Sequence, residues 1–336
     1  MPAKLSPRKI RNTPVSSIGF GLMNISRSPE PDEERFKVLD AAYEDGCTFW
    51  DTADIYGDSE DLIGRWLKRT GKRDEIFIGT KFGFVGNFGK DWVVDGKEEH
   101  VKAAFEKSRK RLGIETIDLY YLHRVDINTP IEHTVGAMAE LVKDGKVKYL
   151  GLCEVSAATL RRAHAVHPIA AVQVEYSPFT TDIEDEKIGL LKACRELGVA
   201  VVAYAPLGRG LLTGQVRSPD DFEEGELRRL IPRFSKENFP NILKVADGIK
   251  AIGERHNVTA GQVALAWILA QGEDFIPIPG TRKIKYLKEN IAAAQVKLSP
   301  EEVKEVREMA NSIDTSSDLR APPNLLKFMF ADTPSV

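Results

Sequence analysis

Short apolar runs, dense in β-branched and aromatic residues, recur along the chain. Longer stretches whose apolar positions repeat at helical spacing separate them. The runs are SIGFGL (17–22), CTFWDTA (47–53), IFIGTK (76–81), IDLYYLH (117–123), YLGLCEV (149–155), AAVQVEY (170–176), AVVAYAP (200–206) and FIPIPG (275–280). They are continuous rather than alternating, as expected of parallel strands covered by helices. Between them, 33–45 puts Phe36, Leu39, Ala42 and Tyr43 on one stripe and stops at Gly46. Residues 98–112 open on Glu98 and Glu99 and close on basic residues before Gly113, the order a helix dipole favours. The same spacing predicts helices near 59–69, 131–144, 157–166, 185–197, 241–256, 260–271, 283–294 and 300–312. Thr259 is the expected N-cap of the helix at 260, and Ser299-Pro300 a similar start with proline at the first helical position.

Eight strand–helix alternations without a linker predict one α/β domain, a single (β/α)8 TIM barrel, over a Rossmann sheet joined to a second domain. The domain spans 1–336, with a core of about 8–313, extra C-terminal helices and a tail at 314–336. Residues 207–240, rich in glycine, proline and charge, predict a long loop on the functional face. The tail carries Pro322, Pro323 and an apolar LLKFMF; it is expected either to pack over the barrel mouth or to form a partly ordered terminus.

Composition narrows the function. Hydrophobic residues make up 42% and charged residues 29% of the 336, an ordinary globular balance. The 47 basic and 50 acidic residues are spread along the chain, net −3, with no basic stripe to meet a nucleic acid. No run approaches the roughly 18 apolar residues of a membrane span, and the polar first residues lack an apolar signal core. A cytoplasmic protein is the expectation, and the oligomeric state is not legible. Cys47, Cys153 and Cys194 lie far apart and in no metal-ligand spacing, so neither a disulfide framework nor a metal site is expected.

Catalytic side chains of such barrels gather at the carboxyl ends of the strands. Strand two ends at Asp51 and runs on to Tyr56; strand three ends at Lys81; strand four ends at His123-Arg124. An acid, a phenol, an amine and an imidazole thereby converge on one mouth. Carbonyl reduction needs such a set, because a proton must reach oxygen as hydride reaches carbon. A phenol near pKa ~10 is a weak acid at neutral pH. A lysine ammonium about 4 Å away, at an effective dielectric of ~20, would lower it by at most about three units. Asp51 can keep Lys81 protonated and oriented, and His123 can donate to the carbonyl oxygen. A Schiff-base aldolase built on Lys81 is the alternative from the same residues.

The segments FWDTADIYGDSEDLIG (49–64), IFIGTKFG (76–83), IDLYYLHRVD (117–126), AVQVEYSPF (171–179), YAPLGRGLLTG (204–214) and IPIPGTRKIKYLKENI (276–291) resemble the aldo-keto reductases, in particular a fungal YakC-type branch related to pyridoxal reductases. FADTP (330–334) looks like that branch too. The resemblance implies a barrel that binds NADPH/NADP+ in extended form, a small-molecule carbonyl substrate and no metal, with Tyr56 as general acid beside Asp51, Lys81 and His123. It also implies coenzyme contacts. Gly21, Leu22 and Met23 would lie against the nicotinamide side, Glu154 and Gln173 would take the carboxamide, and Tyr204 would stack on the ring. Cys153 stands where the family usually has serine, and a thiol is the weaker hydrogen-bond partner. Pro206, Leu207, Gly208, Arg209 and Gly210 resemble the pyrophosphate segment. Gly280 and Thr281 lead into a helix whose N-terminus favours phosphate. There Arg282, with Lys283 and Lys285, suits a 2′-phosphate, and Glu289 and Asn290 match the adenine contacts. The absence of a GxGxxG fingerprint agrees with a coenzyme site of non-Rossmann type.

Some members resembling this fold serve as cofactor-sensing regulatory subunits of channels, a second function to weigh. Met23, Ile55, Phe82, Trp92, Phe179 and the 209–240 loop are the expected walls of a hydrophobic substrate pocket, suited to aromatic aldehydes. Pyridoxal enters as a substrate through the resemblance alone.

Overall fold

The computed structural model describes residues 5–86, 93–313 and 319–336. Trp92 lies outside them. The chain opens with a hairpin, β1 (Pro7–Ile10) and β2 (Thr13–Ser16). Then come β3 (Phe20–Gly21), α1 (Asp32–Glu44), β4 (Phe49–Asp51), α2 (Ser59–Thr70), β5 (Phe77–Phe82) and a small antiparallel pair, β6 (Phe84–Val85) with β7 (Val93–Val94). The alternation continues with α3 (Glu98–Leu112), β8 (Ile117–Leu122), α4 (Ile131–Lys143), β9 (Val147–Cys153), α5 (Ala157–Val166), β10 (Ile169–Glu175), α6 (Leu190–Leu197) and β11 (Ala200–Tyr204). It ends with α7 (Phe239–His256), α8 (Ala260–Leu269), β12 (Phe275–Pro277), α9 (Ile284–Ala292), α10 (Pro300–Asn311) and α11 (Pro323–Leu326).

The strands β3, β4, β5, β8, β9, β10, β11 and β12 pair in that order, all parallel. Gly19 N donates to Pro277 O (2.9 Å) and Gly21 N to Pro279 O (3.2 Å), joining the first strand to the last. The fold is the (β/α)8 barrel expected. Closure explains Gly21, where a Cβ would stand 2.7 Å from the backbone oxygen of Ile278.

Strand alternation sorts the core into two layers. Phe49, Phe77, Leu119, Tyr121, Cys153, Ala171, Val202 and Ile276 fill the barrel, with Ile10 and Val15 of the hairpin packed against them. Trp50, Ile78, Phe82, Tyr120, Leu150 and Val172 point outward against the helices. Strands β1 and β2 carry no apolar run that would predict them, because PRKI and TPVS are short and mostly polar. Phe82 is corrected as a pocket wall: one position after inward-facing Lys81, it stacks on Tyr120 (4.7 Å between centroids) in the outer layer. Phe179 is buried as well, packed where a Cβ on Gly208 would lie 2.4 Å from its ring.

Caps follow the side-chain chemistry. Thr259 with Gln262, and Ser299 with Glu302, form reciprocal capping boxes. Helix α6 begins at Leu190 rather than near 185, because Gly189 takes a left-handed φ of 62° after a short 3-10 turn at Asp182–Glu184. Residues 207–240 carry four short 3-10 turns between 208 and 234, and α7 begins at Phe239. The C-terminal tail does pack on the barrel. Ala331 bridges Val155, Thr159 Oγ1 donates to Asp332 (3.1 Å), and Arg162 donates to Thr333 O (2.9 Å). Among the described residues, no helix is long and apolar enough to cross a membrane.

Candidate active site

Asp51 ends β4, Lys81 lies one residue before the end of β5, and His123 follows β8. Their side chains face inward at one mouth, as the register of these strands requires. Lys81, fully buried, donates from Nζ to Asp51 Oδ1 and to Thr52 O (2.7 Å). Asp51 Oδ2 accepts from Gln173 Nε2 at 2.8 Å, so β4, β5 and β10 are tied across the barrel. Burial pushes the Asp51 carboxyl up, against the pull of Lys81 and Gln173. Burial alone would depress Lys81, but Asp51 and Tyr56 reverse this and leave it above its ordinary value. With an ammonium and an amide both donating to the carboxylate, we assign a charged pair.

Tyr56 rides the turn between β4 and α2. Tyr56 N donates to Ala53 O (3.1 Å), Asp54 N to Lys81 O (3.0 Å), and Gly57 closes the turn at φ 54°. The Lys81 ammonium lies 5.1 Å from the Tyr56 ring centre, and the His123 ring meets it edge-on at 5.7 Å. The expectation that Lys81 lowers the phenol needs correction. Burial outweighs Lys81, whose field Asp51 partly cancels, and the Tyr56 pKa stands above its ordinary value. The residue is half-buried by exposed area, yet the barrel wall crowds its phenol closely enough for desolvation to win. A phenol that keeps its proton at neutral pH is the acid form. His123 is driven well below its ordinary pKa, by burial first and by Lys81 and Arg124 next. It is a neutral imidazole, with Nδ1 buried and without a partner among the described residues.

Several of the remaining sequence candidates lie at the ends of neighbouring strands β9, β10 and β11. Cys153, at the end of β9, is buried, which pushes its thiol up to about 12 and leaves it neutral. Glu154 follows in a left-handed conformation (φ 51°). Its Oε1 accepts from Glu175 N and from the Tyr204 hydroxyl, both at 2.9 Å, and its Oε2 from Arg320 Nη2 at 2.8 Å. Ala205 (φ 48°) and Arg209 (φ 55°) are also left-handed, on either side of buried Pro206 and half-buried Leu207. Each such non-glycine conformation costs about 1–3 kcal/mol and collects at functional sites. Arg209 donates to Glu175 Oε2 (2.9 Å), and at Gly210 a Cβ would meet only Arg228 Nη1, 3.7 Å away.

Half-buried Met23 and buried Leu22 continue from Gly21, which packs on Gly280. Thr281 Oγ1 accepts from Lys283 N (3.1 Å), shaping the entry to α9. Arg282, Lys283 and Lys285 are exposed there, none paired with a carboxylate among the described residues. Arg282 also lines a groove of about 360 Å³ beside Ile25 and Arg35. Three unpaired cations at a helix N-terminus fit a phosphate group. Glu289 accepts from Thr259 Oγ1 (2.8 Å), and Asn290 is buried.

Four residues outside the sequence expectations belong to this region. Arg124 donates to His123 O (2.6 Å) and reaches the Tyr204 hydroxyl at 3.4 Å. Glu175 anchors Arg209, and Arg320 enters from the tail. Arg111, on α3, donates to the carbonyls of Asp54 (2.9 Å) and Gly57, the two flanks of the Tyr56 turn. Arginines facing inward from outside the strand ends leave no periodic signal. A groove of about 930 Å³ lies outside, between α2 and α3; Arg111 lines it, but no catalytic candidate does. Among the described residues no His, Cys, Asp and Glu cluster could hold a metal.

Residues 17–311 match the Aldo/keto reductase family. The chain is 62% identical over 325 residues to the aldo-keto reductase str7 of Strobilurus tenacellus, covering 94% of this chain and 95% of that one. It is 49% identical over 332 residues to the aldo-keto reductase yakc [NADP(+)] of Schizosaccharomyces pombe, covering 97% of each. The glycerol dehydrogenase AKR11B4 of Gluconobacter oxydans superposes with a TM-score of 0.83 at 29% identity, over 92% of this chain and 96% of that one.

Proposed function

The chain belongs to the aldo/keto reductase family, and from that premise we propose that it reduces aldehydes and ketones to alcohols with Tyr56 as the general acid. It is an NADP-dependent oxidoreductase acting on small carbonyl compounds. The observation that carries the assignment of roles is the Tyr56 ring placed beside both the Lys81–Asp51 pair and His123 at one barrel mouth.

When bound, NADPH supplies hydride to the carbonyl carbon. Arg282, Lys283 and Lys285 would hold its 2′-phosphate, the 206–210 segment its pyrophosphate, and Glu289 and Asn290 its adenine. Gln173 and Tyr204 would hold the nicotinamide end, with Gly21, Leu22 and Met23 on its other side. The chain's own work is proton transfer and charge stabilisation. Tyr56 Oη gives its proton to the nascent alkoxide. Lys81 favours the phenolate that remains, by Coulomb attraction in a low-dielectric site. Asp51 holds Lys81 charged and aimed, and Gln173 fixes Asp51. A neutral imidazole at His123 donates one N–H to the carbonyl oxygen without competing for the proton.

An aldolase reading meets a specific obstacle. A Schiff base needs an unprotonated amine, whereas Lys81 is raised and donates to both Asp51 and Thr52 O. The test is a screen of NADPH oxidation over small aliphatic and aromatic aldehydes, ketones and pyridoxal. Turnover of at least one class is expected. Failure of every class with properly folded protein that binds NADPH would remove the assignment and favour a cofactor-sensing role.

A further inference from the structure

We propose that Arg320, on the C-terminal tail, is a positioning residue of the coenzyme site, holding the Glu154 carboxylate and through it the Tyr204 ring. The inference rests on the reading that the coenzyme's nicotinamide end occupies the mouth beside Glu154, Gln173 and Tyr204. Arg320 lies beyond residue 311, where the family match ends. Its side chain and that of Glu154 are both 0% exposed.

The geometry forms a chain of contacts from the tail to the ring. Arg320 Nη2 donates to Glu154 Oε2 at 2.8 Å, and the Tyr204 hydroxyl donates to Glu154 Oε1 at 2.9 Å. Arg320 Nε stands 3.3 Å from Asp182 Oδ2, on the segment after β10. The Phe330 ring closes the guanidinium face, with the carbon centre 4.6 Å from the ring. Just beyond, the tail is pinned through Ala331 to Val155 and through Asp332 to Thr159, so the arginine has little freedom to leave. Arg320 Nη1 is buried with no acceptor among the described residues, which suits a donor kept for a ligand oxygen.

Charge explains why Glu154 needs this partner. Its carboxylate is buried and shares its surroundings with Glu175 and Asp182. Without the Arg320 guanidinium, the carboxylate loses its one direct ion pair among the described residues and is free to turn away. That change loosens the hydrogen bond that orients Tyr204. Glu154 therefore acts mainly as a fixed post for Tyr204, with three donors already on it, rather than as a free acceptor for a carboxamide. Loss of Arg320 should weaken coenzyme binding more than it slows the chemical step at Tyr56. By reciprocity, bound coenzyme should hold the tail down.

The test measures NADPH affinity by quenching of protein fluorescence, in the full chain, for wild type, Arg320→Met, Arg320→Lys, Glu154→Gln and the Arg320→Met/Glu154→Gln double variant. Arg320→Met is expected to raise the NADPH Kd on the order of tenfold, within the usual range of coupling between sites. At saturating NADPH, its kcat should fall less than threefold. Arg320→Lys should be intermediate, and it keeps the test alive if Arg320→Met does not fold. The double variant should bind no worse than the weaker single variant, because the two residues act as one unit. In wild type, NADPH should slow tryptic cleavage of the tail. If Arg320→Met or Arg320→Lys loosens the tail yet binds NADPH like wild type, Arg320 is a fastener only and the inference fails. Absence of tail protection by NADPH overturns it too. Failure of wild type itself to bind NADPH would instead sink the underlying reading of the site.

Discussion

Arg111 touches the Tyr56 turn from outside the barrel, and its removal is a direct way to separate positioning from chemistry. Its guanidinium brackets Ile55 and Tyr56 by donating to Asp54 O (2.9 Å) and Gly57 O, and it pairs with Glu60 (3.0 Å) and Asp61 (2.7 Å). Arg111→Met deletes all of these. Glu60 has no exposed side-chain surface, and stranding a buried carboxylate costs about 3–5 kcal/mol. Thr80 Oγ1 still donates to it at 2.7 Å, and burial already pushes the Glu60 carboxyl up, so protonation softens the loss. We therefore expect a loss near the lower end, about 3 kcal/mol. The half-exposed Asp61 adds less than about 0.5 kcal/mol. A shift of the Tyr56 hydroxyl by about 1 Å costs on the order of 100-fold in kcat. Arg111→Lys keeps a cation near Glu60 but cannot span both carbonyls. It should lose about 1 kcal/mol of stability and roughly tenfold in kcat. The assays are thermal unfolding, steady-state kcat and KM, and NADPH titration, with the NADPH Kd expected within about twofold of wild type. Because Arg111 lines the open groove between α2 and α3, millimolar guanidinium should partly restore Arg111→Ala. Variants that melt early but keep wild-type kcat would refute the reasoning.

Three further outcomes follow from the same geometry. Lys81→Met should abolish turnover and cost about 3–5 kcal/mol by leaving Asp51 buried without its cation; adding Asp51→Asn should restore much of the stability in denaturant titrations, but none of the activity. Arg282→Glu should weaken NADPH on the order of tenfold while leaving NADH within about twofold, read by fluorescence titration. Asp54 is pushed up from 3.8 to about 7, by burial first and Glu60 next. A carboxyl raised in the folded state keeps its proton where the unfolded chain has lost it. Stability should therefore fall as pH rises from about 4 to about 7 and level off above. Asp54→Asn should stabilise the protein at pH 8 by about 2 kcal/mol, discounted for partial solvent access, and hardly at all at pH 4. Equal shifts at both pH values would contradict this.

The barrel and the Asp51, Lys81, His123 and Tyr56 constellation were legible because strand ends can be read from apolar runs. Once the strands are placed, inward and outward positions alternate by geometry. By that alternation Phe82 must face the helices if Lys81 faces the barrel, so it is no pocket wall. Arg111 and Arg320 were not legible, since each acts across a long sequence separation from a helix end or a tail. The sign of the Tyr56 shift was also out of reach, because it depends on how closely the wall crowds the phenol. The hairpin before β3 escaped notice because only Ile10 and Val15 carry it.

The central claim is that Tyr56 delivers the proton. Tyr56→Phe removes one hydroxyl and leaves the ring against His123 and Lys81. With a substrate that wild type turns over, single-turnover NADPH oxidation should slow by about 10²–10⁴-fold, with the NADPH Kd unchanged. Oxidation by Tyr56→Phe at the wild-type rate would contradict the account.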